Sequence, residues 1–255
     1  MNLLFDLSLA EGYKSNSQIA RVLTENWVER NVYCIRCGND NIVSMKNNRP
    51  VADFLCPNCR NIYELKSKSG STGGKINDGA YSTMIERINS DSNPDFLFLT
   101  YDKDSYCVND VLSVPKHFFI PPIIEKRKPL AETARRAGWV GCNILLETIP
   151  KEGRIDIVRN RKELNKADVL DKFKRTSFMG ESKLESRGWI LDILNCIDKI
   201  GSDDFTIDDM YEFEDELKKR HPVNYHIRDK IRQQLQFIRD KGLIEFTSRG
   251  RYRKA

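Results

Sequence analysis

The segment ADFLCPNCRNIYELKSK, residues 52–68, places two kinds of candidate metal ligand in one hairpin-sized stretch. Cys56 and Cys59 look like half of a cysteine knot, while Asp53, Glu64 and Lys66 stand on either side of it. VADFL and NIYELK alternate as the two arms of a β-hairpin do, so both flanks read as strands. Glu64 and Lys66, two apart on one strand, point to the same face. Asp53, on the preceding strand, comes within reach of Glu64 across the ladder.

The cysteines have a partner upstream. Cys34-x2-Cys37 and Cys56-x2-Cys59 are separated by 18 residues, a spacing that wraps two cysteine turns around one tetrahedral zinc. Gly38 and Pro57 suit the tight turns this requires. A four-cysteine site is coordinatively closed, so a Zn2+ held there supports structure and does no chemistry. The remaining cysteines, Cys107, Cys142 and Cys196, read as ordinary buried thiols.

The acids and the lysine need another explanation. Two carboxylates converging beside a lysine suit a hard divalent cation, usually Mg2+ that keeps several waters. Such an ion acidifies water and stabilises charge on a phosphoryl oxygen, and Lys66 would hold the attacking water near the phosphate. Glu-x-Lys alone is weak, because it recurs at Glu181–Lys183 and Glu216–Lys218, where a solvated face is the plain reading. Around Lys66 the context is a strand, an upstream Asp at hairpin distance and a preceding helix. That is the arrangement of the PD-(D/E)xK nuclease core. No proline directly precedes Asp53, although Pro50 is close, and the carboxylate is the group that binds metal. The second CxxC then occupies the turn between the two strands, and zinc staples one end of the hairpin whose other end carries the acids.

Ser15-Asn16-Ser17-Gln18 reads as a capping box opening a helix through Ile19, Val22, Leu23 and Trp27. Asn77 or Asp78 is expected to cap a second helix with the stripe Tyr81, Met84, Ile85 and Ile88. DFLFLTY, 95–101, is a buried strand and DVLSVP a weaker one. An α/β or α+β core over roughly the first 160 residues follows. The polar stretch from Arg159 to Ser186 reads as a linker or wrapping segment. Beyond it, GWILDILNCIDKI, TIDDMYEFEDELKKR capped by Thr206, and YHIRDKIRQQLQFIRDKG ending at Gly242 read as three helices. LIEF and GRYRK close the chain as a hairpin, which gives the winged-helix order. The expected domains are 1–182 for the core with its zinc insertion at 34–59, and 183–255 for the winged helix.

Charge points to a polyanionic partner. The 255-residue chain has a net charge of only +5, but residues 224–255 carry nine Lys or Arg against three acids. In the third C-terminal helix Ile227, Ile231, Leu235 and Ile238 form the buried stripe. His226 stands at its start, and Arg228, Arg232, Gln233 and Gln236 face outward, side chains that pair with guanine and adenine edges. Arg249, Arg251 and Arg253 in the wing would sit over phosphates. An outer helix face is ordinarily just solvated; beside a basic wing, DNA contact is the better reading. No apolar run approaches the roughly 20 residues of a membrane span. The N-terminus lacks the features of a secretory signal, so a cytoplasmic protein is expected. Nothing in the sequence identifies a protein partner.

Several long segments carry a resemblance. NNRPVADF, ELKSK, INDGAY, TARRAGWVGCNI, ESRGWILDILNCIDKI and IRQQLQFIRDKGLIEF are similar to the DpnI restriction endonuclease family over nearly the whole chain. The resemblance implies Mg2+-dependent cleavage of both strands of double-stranded DNA at GATC sites methylated on adenine N6. It implies Asp53, Glu64 and Lys66 as the catalytic set and the four cysteines as zinc ligands. Trp139 matches a tryptophan used against the methylated base, and the winged helix matches a second module that reads the same site. Arg135 and Arg136 beside Trp139 would take phosphates or guanine edges. A lone tryptophan is usually core, whereas Gly138 and Gly141 on either side favour a loop; on residues alone both readings stand. One methyl group is worth only about 1–3 kcal/mol per contact, so two readers in succession give a physical reason for the appended domain. Two rival readings share most of these features: a zinc-ribbon and winged-helix regulator that binds DNA without cutting, and a repair or junction nuclease that ignores methylation.

Overall fold

A computed structural model of the chain describes residues 1–45, 52–90 and 92–255; all of NNRPV, Pro50 included, lies outside them. The N-terminal part runs through α1 (Asn16–Asn31), β1 (Val43–Ser44), β2 (Phe54–Leu55), β3 (Ile62–Ser69), β4 (Lys75–Ala80) and α2 (Tyr81–Ile88). It continues with β5 (Asp95–Asp102), β6 (Cys107–Val114), β7 (Ile124–Lys126), β8 (Gly141–Leu145), β9 (Ile155–Arg159), β10 (Lys162–Glu163) and α3 (Lys166–Thr176). Among the described residues the main sheet has seven strands in the order β1-β2-β3-β5-β6-β9-β10. Only β3 and β5 run parallel, joined by a crossover through β4 and α2, while the other pairs are antiparallel. A second sheet, β4-β8-β7, lies apart from it.

The central strand explains the two layers. On β5, Phe96 and Phe98 face one side and Leu97 and Leu99 the other, all buried. The leucine side packs under α1 and α3 with Trp27, Val28, Val169 and Phe173. The phenylalanine side packs on α2 and the small sheet through Met84, Ile88, Ile76 and Ile144. The mixed α/β core expected from the sequence is therefore present.

The stretch expected as a linker or wrapping segment contains a helix packed on the core. Residues 166–176 form α3, whose buried Val169, Phe173 and Thr176 recur at helical spacing. Asn165 caps it by accepting the Ala167 N–H at 2.8 Å. Helix α1 begins where Ser15 predicts, but the Ser15 side chain makes no capping hydrogen bond and meets Ser17 Oγ at 2.9 Å instead. Asn77 and Asp78 cap no helix; both belong to β4, and Ala80 occupies the N-cap of α2. Of the remaining cysteines, Cys142 and Cys196 are buried and Cys107 is half-buried.

The C-terminal part contains α4 (Leu184–Lys199), β11 (Asp204–Thr206), α5 (Ile207–Tyr211), α6 (Glu214–Arg220), α7 (Ile227–Asp240), β12 (Ile244–Ser248) and β13 (Arg251–Lys254). The helix expected as one over 206–220 is broken near Phe213 into α5 and α6. Thr206 makes a full capping box with Asp209. The wing gains a third strand, β11, which pairs with β13. None of the described helices is long and apolar enough to cross a membrane. The same apolar cluster that covers Phe96 and Phe98 continues into Trp189, Ile190 and Leu194 of α4 and Ile231, Leu235 and Ile238 of α7. Asn195 Nδ2 donates to Thr148 O at 2.9 Å and the Lys151 N–H to Asp198 at 2.7 Å, so the two parts are docked.

Candidate active site and zinc centre

The four-cysteine cluster forms as the spacing predicts. The sulfurs of Cys34, Cys37, Cys56 and Cys59 all lie within 4.8 Å of one another. Two of the separations, Cys34–Cys59 and Cys37–Cys56, are 3.6 Å. Tetrahedral zinc with Zn–S near 2.3 Å puts its sulfurs about 3.8 Å apart, so the cluster could hold Zn2+. Both turns are built alike. The Gly38 N–H donates to Cys34 O at 2.9 Å and the Arg60 N–H to Cys56 O at 3.0 Å. Gly38 and Arg60 each adopt positive φ, 76° and 61°. Glycine does this freely, whereas Arg60 does so at a cost. Tyr63 Oη lies 3.0 Å from Cys34 Sγ, a partner that orients the ligand from β3 itself.

That turn joins β2 to β3, and the register pairs Phe54 with Tyr63, which brings Asp53 opposite Glu64. The Asp53 N–H donates to Tyr63 O at 2.8 Å. Its carboxylate accepts the Leu65 N–H at 2.7 Å, so it is held beside the backbone between Glu64 and Lys66. Glu25 on α1 lies on the Asp53 side. Burial pushes the Glu25 carboxyl up, Arg21 draws it down, and the Asp53 charge adds to the rise.

Glu64 and Lys66 do share a face. Lys66 Nζ sits 2.6 Å from Glu64 Oε1, and Arg87 Nη1 of α2 donates to Glu64 Oε2 at 2.9 Å. Lys66 also forms an ion pair with Asp78 of β4. Burial raises the Glu64 pKa, partly offset by Lys66. Burial disfavours the charge on Lys66, but the Glu64 and Asp78 carboxylates outweigh it and its pKa is raised. Asp78 and Arg87 are the members that sequence reading missed. The donor set of Asp53, just before β2, and Glu64, on β3, offers hard carboxylate oxygens that would suit a hard divalent ion completed by water. Among the described residues the cysteine cluster alone gathers three or more candidate ligand atoms.

The Trp139 loop adjoins this site through β4 and β8. Trp139 is half-buried, and Arg135 and Arg136 are exposed. The Arg136 guanidinium lies over the indole at 4.6 Å from the ring centroid. Gly138 takes φ 75°, and a Cβ on Gly141 would come within 2.8 Å of the indole ring. The indole is thus packed on a glycine, in a loop and outside the core.

In the C-terminal part His226, Arg228, Arg232, Gln233 and Gln236 are all exposed along α7, as are Arg249, Arg251 and Arg253 in the wing. Arg228 pairs with Glu214 at 2.6 Å and Arg232 with Asp229 at 3.1 Å, and both approach the Tyr211 ring. Arg253 pairs with Asp204 at 2.8 Å. Gln233 accepts from Lys230 Nζ at 2.8 Å. These partners are on the surface, where such pairs are weak and exchange readily for phosphate.

A mixed α/β core with a carboxylate–lysine cluster at a sheet hairpin, joined to a helix-turn-helix module, defines a class of DNA-acting proteins. The chain matches the model of the Dam-replacing family, DpnI, over residues 1–182. It matches the Dam-replacing HTH domain over residues 185–254. The protein belongs to the Dam-replacing (DpnI) family, a family of methylation-dependent restriction enzymes.

Proposed function

We propose that the protein is a Mg2+-dependent type II restriction endonuclease that hydrolyses both strands of double-stranded DNA at GATC sites methylated on adenine N6. The observation that carries this reading is the placement of Asp53, Glu64 and Lys66 on one hairpin of a chain that belongs to this family. Asp53 and Glu64 would hold the magnesium ion. When bound, the ion supplies Lewis-acid stabilisation of phosphoryl charge and an acidified water. Lys66 keeps its charge and orients the attacking water or a non-bridging phosphate oxygen. Residues 1–182 would cut, and residues 183–255 would read the methylated site a second time.

Discrimination divides between two surfaces. The indole of Trp139 offers an apolar face to the N6-methyl group in the major groove, while Arg135 and Arg136 take phosphates or guanine edges. Arg228, Arg232, Gln233 and Gln236 on α7, with His226 at its start, offer base-edge contacts. Arg249, Arg251 and Arg253 supply phosphate contacts from the wing.

The test is Asp53→Ala. Cleavage of a methylated GATC duplex in magnesium should fall by on the order of 1,000-fold or more, while affinity for the uncut duplex stays within about twofold. Cleavage at the parent rate in that variant would remove Asp53 from the chemistry.

A further inference from the structure

Lys66 is held by two carboxylates, and they come from different sheets. Glu64 is its neighbour on β3, while Asp78 reaches it from β4, the edge strand of the second sheet. The Asp78 side chain is 5% exposed and the Glu64 side chain 14%, so Asp78 is the more enclosed of the two. A carboxylate that enclosed is stable only with a partner, and here the partner is the Lys66 ammonium.

The two carboxylates cannot play the same part. If Glu64 is a ligand of a divalent cation, its oxygens are committed to the ion and share less charge with Lys66. A lysine side chain is long and loses its position readily when its anchor weakens. Asp78 would then be the remaining carboxylate on the ammonium. It is also placed by its own backbone. The β4–β8 register shifts between Asp78 and Ala80, a bulge of the kind that re-aims side chains beside active sites. Past the bulge Ala80 pairs with Gly141, the residue on which the Trp139 ring packs. The Tyr81 N–H then donates to Val140 O at 3.1 Å. The strand that anchors Lys66 is thereby hydrogen-bonded to the end of the Trp139 loop.

We propose that Asp78 is the positioning residue of the catalytic lysine, holding the Lys66 ammonium from the strand that also fixes the Trp139 loop. This rests on the nuclease reading of the Asp53, Glu64 and Lys66 site. Asp78 acts through Lys66 and touches neither substrate nor metal.

The experiment is a double-mutant cycle with Asp78→Asn, Lys66→Met and the pair together. Single-turnover cleavage of a methylated GATC duplex is measured across a magnesium series. Asp78→Asn should slow cleavage by on the order of 100-fold, with the half-saturating magnesium concentration and the affinity for uncut duplex unchanged within about twofold. In the Lys66→Met background it should slow cleavage no further. Urea unfolding of the same four proteins, without added magnesium, gives a reading independent of activity and of any one variant's yield. The loss in the pair should be clearly less than the two single losses combined. Full additivity of the cleavage effects, additive unfolding, a raised magnesium requirement or an unaffected rate would each overturn the assignment. If the parent protein itself cuts no methylated DNA, the nuclease reading fails first and this assignment falls with it.

Discussion

His117 is enclosed between the sheet and α3, with Nε2 3.2 Å from Thr176 Oγ1. Burial lowers its pKa from 6.5 to about 3, and the positive charges of Arg187, Lys116 and Arg36 push the same way. Between those values the unfolded chain binds a proton that the folded chain refuses, so stability falls as pH drops below about 6.5. His117→Gln should therefore lose about 1.4 kcal/mol less than the parent protein between about pH 7.5 and about pH 5.5, read by urea unfolding. Equal losses in the two proteins would show that His117 takes up a proton in the fold. The residues of the candidate site differ in how far the sequence announces them. Asp53, Glu64 and Lys66 were legible because two of them share a strand face and the third sits one hairpin away. Asp78 was not, because Asn and Asp before an apolar helical stripe look like caps. The signal for a strand was present in the inward alternation of Ile76, Asp78 and Ala80, but only one of those three is large and apolar. Arg87 carried no signal at all, since its role depends on α2 lying against β3.

Among the elements, the β2–β3 hairpin is the one whose geometry the site depends on. β2 has only two residues, Phe54 and Leu55, and a ladder that short does not hold its register alone. The cysteine cluster at its turn and the Tyr63–Cys34 contact supply the constraint. Cys56→Ser should abolish binding of about one zinc per chain, measured by elemental analysis. It should cost at least about 3 kcal/mol in urea unfolding, as loss of a structural metal does. Unchanged stability with zinc lost would mean that the hairpin holds itself. The hairpin, β5 and the α7 stripe were readable because their periods are long or their turn signals strong. Helix α3 was not, since three inward residues spread over 11 make a faint pattern in a polar stretch. The break at Phe213 was hidden for the opposite reason. The acidic run around it is good helix composition, and only packing against α7 decides where the chain turns.

The two matched segments share one apolar cluster, while a second lies under α1 and α3, and α4 is docked on the loops that follow β8. That docking joins residues far apart in sequence, such as Asn195 with Thr148, and no local pattern announces it. The kind of molecule was nonetheless legible from the cysteine spacing, the helical order of the C-terminal part and the long family-like segments. The proposed function joins chemistry to discrimination: a carboxylate–lysine hairpin that would cut, and two surfaces that would each accept a methyl group. The most direct measurement is digestion of one plasmid, prepared with and without adenine methylation at GATC, by the purified protein in magnesium. Cutting of the methylated plasmid alone is the predicted result. Cutting of both forms would contradict the assignment of Trp139 and α7 as methyl readers while leaving the nuclease. Binding with neither form cut would contradict the nuclease and favour a regulator built on the same two modules.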